Sequence, residues 1–81
     1  MRMAETATRY VLLDGLALRA ARTAAGYSQT QLGSRVGLAQ PAVSDLETRR
    51  VTRVDRALVR DLARVLRVSP DELIGQTTTA A

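Results

Sequence analysis

An all-α fold, a compact bundle of five short helices, is predicted by three observations on this 81-residue chain. Leucine, valine and alanine recur at three- and four-residue steps, the period of a helix with one apolar face. Gly26 and Gly37 cut this pattern into short runs, and Ser28 and Ser69 stand where new helices would begin. There is no Cys or His and the aromatics are Tyr10 and Tyr27 alone, so disulfides and zinc sites are excluded and the core must be aliphatic. The length suits one domain that folds alone if its helices pack well.

The first helix is expected over residues 10–25, with Leu12, Leu16 and Ala20 at four-residue steps, ending at Gly26. Ser28 then caps a second helix whose first residues are Gln29, Thr30 and Gln31, because its hydroxyl can accept from an otherwise unpaired backbone N–H. Leu32 and Val36 share one face, and Gly33 between them leaves room for a helix crossing at close range. Gly37 ends this helix in the left-handed conformation that strains other residues. Leu38 follows the turn. Val43 and Leu46 lie three apart on the third helix, and Pro41 falls in its first turn, where a missing N–H is tolerated.

A fourth helix is expected over residues 55–67. Leu58, Leu62 and either Leu66 or Val65 make its apolar stripe, while Arg56, Arg60 and Arg64 make a second, solvated stripe near Asp61. Asp55 at its start suits the helix dipole. Ser69, Pro70 and Glu72 form a compact start for a fifth helix, with a cap, a proline in the first turn and a capping-box glutamate. Residues 1–9 and 76–81 lack a sustained apolar pattern and are expected to fray around a single domain of residues 10–75. The apolar run near Tyr10 contains Asp14 and is too short to span a bilayer, so a cytoplasmic location is expected.

The stretch 28–47 also points to chemistry. On the outer face of the third helix stand Gln40, Ser44 and Asp45, with Arg49 and Arg50 just beyond its end. A helix of this kind can enter a DNA major groove, its N-terminal residues meeting base edges while flanking arginines hold phosphates. Gln40 is the best base reader, because an amide both donates and accepts and so matches adenine. Ser44 can reach either kind of base. Asp45 can accept from cytosine, or turn instead toward an arginine or a second copy. The net charge of +4 agrees, and all twelve cations are arginine, whose fork suits phosphates and guanine edges. The absence of lysine is set down mainly to GC-rich coding.

These residues resemble the Cro and phage-repressor type of helix-turn-helix, the XRE family. The resemblance covers residues 16–74, from LALRAARTAAGYSQTQL to VSPDELIG. It implies that Gln29 touches a phosphate and braces Gln40, and that Arg22 pairs with Glu47 at the end of the recognition helix. The phosphate-binding candidates are Ser28, Gln29, Arg49, Arg50, Arg53 and Arg56, the last being the exception in its solvated stripe because it lies nearest the loop. The resemblance also implies a two-fold contact near the last helix, with Val68, Leu73 and Ile74 as candidates, of which Leu73 is expected chiefly to close the core. Departures from the family pattern are Ala39, which cannot cap the recognition helix, and Pro41, which joins Gln40, Ser44 and Asp45 in the base-reading set at a position that often contacts DNA but has a ring with no donor. Arg49 replaces a frequent glycine, and the loop of residues 49–54 is expected to run one residue longer than usual.

The function implied is a double-stranded DNA-binding transcriptional regulator, a repressor of the phage Cro or restriction-modification controller kind, acting as a homodimer on an inverted-repeat operator. The alternative is an antitoxin-type protein that masks a toxin and autoregulates its operon, although the short tails offer little to wrap a partner. A helical scaffold without DNA affinity is a further rival, suggested by Ala39, Pro41 and Asp45. No enzyme activity is expected, since no nucleophile–base pair, phosphate loop or paired-carboxylate motif is present. No cofactor, metal, membrane or small-molecule ligand is expected either.

Overall fold

Residues 9–75 are described by a computed structural model, in the order β1 (Tyr10–Asp14), α1 (Gly15–Ala25), α2 (Gln29–Val36), α3 (Gln40–Thr48), β2 (Val51–Asp55), α4 (Arg56–Leu66) and a 3-10 turn (Pro70–Leu73). Four α-helices and a small sheet thus replace the five helices expected. The expected fraying of residues 1–9 and 76–81 falls, apart from Arg9, outside the described residues.

The first correction lies at residues 10–14. β1 pairs antiparallel with β2, Tyr10 opposite Asp55 and Asp14 opposite Val51. The ladder is extended at both ends by Arg56 N–H to the Arg9 carbonyl (2.9 Å) and Gly15 N–H to the Arg50 carbonyl (3.2 Å). Along β1 the side chains alternate, with Leu13 fully buried while Tyr10 and Leu12 face out. The expected four-residue stripe therefore does not form: Leu16 is 65% exposed and Ala20 is also on the surface. The helix begins only at Gly15, because Asp14 caps it by accepting from the N–H groups of Leu16 (3.0 Å) and Ala17 (3.2 Å).

The second correction lies at Val51–Asp55, which form the partner strand where a loop over residues 49–54 and a helix start at Asp55 are expected. The third concerns Ser69 to Leu73. The capping box forms, with Ser69 accepting from Asp71 N–H and Glu72 accepting from Ser69 N–H, but only a 3-10 turn follows. It cannot lengthen, since the chain turns extended at Ile74 to bridge Leu13, and Gly75 N–H donates to the Leu12 carbonyl at 2.6 Å.

The remaining boundaries follow the residue chemistry. α1 and α2 end at Gly26 and Gly37, with φ of 84° and 78°, the left-handed region in which glycine carries no Cβ penalty. Ser28 and Gln31 form a full capping box on α2. One aliphatic core joins all the elements: Leu13, Leu18, Leu32, Val43, Leu46, Val54, Val59, Leu62, Ala63, Leu66 and Leu73. α2 packs on α3 through Gly33, where a Cβ would collide with the Leu38 carbonyl oxygen and crowd Val43. α1 meets the end of α3 in the same way at Gly15, where a Cβ would strike the carbonyl oxygens of Arg49, Leu46 and Glu47. Backbone is thus laid against backbone at both ends of α3, which fixes that helix on the body of the protein.

Candidate nucleic-acid interface

α3 has no side chain capping its N-terminus, because Ala39 stands in the cap position with extended geometry (φ −77°, ψ 157°) and offers no acceptor. The first turn closes on the backbone alone, Ala42 and Val43 N–H both donating to the Ala39 carbonyl at 3.0 and 3.2 Å. Pro41 in that turn is exposed and has no N–H to leave unpaired. Val43 and Leu46 anchor the inner face of the helix. Its outer face carries Gln40 and Asp45 in the open and Ser44 half-buried.

Beneath this face runs a chain of side-chain contacts that ties the first three helices together. Arg22 of α1 donates through Nε and Nη2 to the two carboxylate oxygens of Glu47 at 2.5 and 3.1 Å, and through Nη1 to the Tyr27 carbonyl at 2.8 Å. Gln29 of α2 donates through Nε2 to Glu47 Oε1 at 3.0 Å. Gln40 in turn donates through Nε2 to Gln29 Oε1 at 2.6 Å. The ion pair is buried, with side-chain exposures of 12% for Arg22 and 2% for Glu47. Burial alone would raise the Glu47 carboxyl, but hydrogen bonds from Arg22 and Gln29 and the Arg22 charge outweigh it and hold Glu47 below its ordinary value. The Arg22 guanidinium is held above its own, chiefly by its hydrogen bond to Glu47.

The other cationic and polar candidates are distributed around this centre. Ser28 spends its hydroxyl on the α2 capping box while remaining exposed. Asp45 turns to Arg49 one helical turn later, at 3.0 Å on the surface, which is the arginine-directed role open to it from the sequence. Arg50 is exposed and anchors Gly15 through its carbonyl. Arg53 stands on the outer face of the sheet, where its guanidinium and that of Arg9 lie over the Tyr10 ring, 5.0 and 5.7 Å from its centroid. Arg56 opens α4 and, with Arg60, borders a cleft lined also by Pro70, Asp71 and Ile74. Arg64 is weakly paired with Asp61 at 3.8 Å. Leu73 is wholly buried and closes the core, while Val68 and Ile74 are half-buried against it.

Two residues that position the site escaped the sequence reading. Gly15 seats α1 on α3, and the Asp14–Gly15 pair did offer a cap-and-start pattern at that point. Tyr10 is the other, and no local pattern marks the approach of Arg9 and Arg53 to its ring.

Two short helices crossing over a left-handed glycine, the second polar outward and braced from behind, are the arrangement of a helix-turn-helix. The model of the helix-turn-helix domain family matches residues 15–73. The chain belongs to that family. Among solved structures, this helix-turn-helix protein is similar to the restriction-modification controller protein C.AhdI from Aeromonas hydrophila, with 34% identity over 72% of this chain and 86% of that one and a TM-score of 0.64. It also shares its fold with part of a hydroxyethylphosphonate dioxygenase mutant, at 22% identity and a TM-score of 0.66, covering 83% of this chain but 14% of the enzyme. None of the curated proteins matches the chain. Among the described residues no helix is long and apolar enough to cross a membrane.

Proposed function

We propose that this helix-turn-helix protein is a sequence-specific regulator of transcription that binds double-stranded DNA through α3 and represses by occupying its operator. The observation that carries the reading is Gln40: it stands exposed at the start of α3 with its amide held from behind by Gln29, as a base-reading group must be if it is to choose one partner. Similarity to a controller protein over most of both chains favours the restriction-modification kind of regulator. Arg49 and Arg50 just beyond α3 and Gln29 at the start of α2 are the nearest phosphate-binding groups, with Arg56 at the start of α4 beside them in this role.

Nine residues of α3 span about 14 Å at 1.5 Å per residue and meet only a few base pairs, so a homodimer on an inverted repeat supplies the rest of the site. Of the dimer candidates Val68 and Ile74 remain partly accessible, and Ile74 lies beside β1, near Leu12 and Val51, which are exposed and lie against Gly75. Such a protein works in the cytoplasm and needs neither cofactor nor catalysis.

Selection of binding sites from a random duplex pool at near-physiological salt tests the reading. Enrichment of an inverted repeat is expected. Salt-sensitive binding to every duplex, with no sequence enriched, would overturn it.

A further inference from the structure

The contacts behind Gln40 form a chain with a direction, and chemistry sets that direction. A carboxylate has acceptors only, whereas a glutamine amide has an acceptor on one side and two N–H donors on the other and can be turned either way. Glu47, with Arg22 donating to both of its oxygens, therefore obliges Gln29 to turn its NH2 group inward, as the 3.0 Å contact shows. Gln29 is left with its carbonyl oxygen toward Gln40, and so Gln40 must answer with an N–H, at 2.6 Å. Gln40 then has its own carbonyl oxygen and a single N–H free for anything outside. A glutamine without this support would present either side equally well.

We infer that Glu47, buried on the inner face of α3 and out of reach of any base, is a positioning residue that determines which base Gln40 selects. This rests on the DNA-reading role proposed for α3. The acceptor and single donor left on Gln40 fit adenine, whose N6 amine donates and whose N7 accepts. Guanine presents two acceptors, O6 and N7, and would need both N–H groups of the amide, one of which is committed to Gln29. Glu47 acts here through Gln29, so its influence reaches one base position and no other.

Site selection from a random duplex pool with wild type, Gln40→Ala, Gln29→Met and Glu47→Gln is the test. Gln40→Ala identifies the position read by Gln40. Gln29→Met keeps the ion pair and cuts the chain, whereas Glu47→Gln keeps the shape and removes the direction, since an amide at that place can donate as well as accept. At the Gln40 position both are expected to reduce the adenine-over-guanine preference by about tenfold, the scale of one bidentate contact, with preferences elsewhere in the half-site kept. A purely structural Glu47 would lower binding to all sequences together and leave the adenine preference intact in Glu47→Gln even where Gln29→Met loses it, which would overturn the inference. If Glu47→Gln does not fold, the double variant Arg22→Met with Glu47→Leu, which leaves Gln29 no acceptor to face, takes its place: an adenine preference kept there overturns the inference. A wild-type profile with no position dependent on Gln40 overturns it as well, and failure of the wild type to enrich any sequence removes the DNA-reading role itself.

Discussion

Glu47 is the one buried charge among the described residues, and Arg22 is what allows it to be there. Taking a carboxylate out of water costs several kcal/mol, which is offset only when the partner is close and the remaining oxygen sites are filled. Arg22 and Gln29 do both. Arg22→Ala, which leaves Glu47 charged and alone, is therefore expected to lose about 3 kcal/mol in thermal or urea unfolding, while the double variant Arg22→Met with Glu47→Leu recovers most of it. An equal loss in single and double variants would mean that packing, not charge, is at stake. The pH dependence has a definite sign. Glu47 has its carboxyl lowered on folding, so its contribution is complete above the ordinary carboxylate value and is lost as pH falls through the lowered folded one. The stability gap between wild type and the Arg22→Ala variant should close in acid.

Among the elements, α3 differs from its neighbours in having no capping side chain. α1, α2 and α4 all begin on an Asp or Ser that accepts from their first turn, whereas α3 begins on Ala39. It is held by tertiary contact instead, through Gly33 and Leu38 at its start and Gly15 at its end. Because Ala39 already has the extended geometry of a cap, Ala39→Ser is expected to add about 1 kcal/mol and raise the melting temperature by about 4–8 °C. No rise would show that the first-turn bonds to the Ala39 carbonyl already satisfy the helix start. The two glycines carry the opposite expectation, since a methyl group at either would press on backbone and push α3 away from its support.

For the whole molecule the question is how a chain proposed to read DNA through one short helix gains enough contacts. Two copies are the proposed answer, and the surface available for them is on the β-sheet side, where Leu12 and Val51 are exposed beside Gly75 and Ile74 is half-buried. Ile74→Asp is expected to halve the mass measured by light scattering while leaving the helical circular dichroism in place. A folded variant that stays dimeric would move the two-fold contact to another face.

What the amino-acid sequence determined by itself was whatever is local. Helical periodicity, the left-handed glycines after α1 and α2, the serine caps and the polar outer face of α3 all act within a turn or two of the residues concerned, so they could be read in order along the chain. Arg22, Glu47, Gln29 and Gln40 were linked by resemblance to a family, not by any spacing. Only the tertiary structure decided the rest. β1 and β2 are five-residue segments whose hydrogen-bond partners lie about half the chain away, and the leucines of residues 10–16 fit a helix stripe as readily as a strand until Val51–Asp55 is brought alongside. The same folding turned the expected fifth helix into a 3-10 turn, because Ile74 and Gly75 are drawn onto β1. The direction of the amide chain behind Gln40 belongs to this class too, since it exists only when three helices place a carboxylate, two amides and a guanidinium in contact.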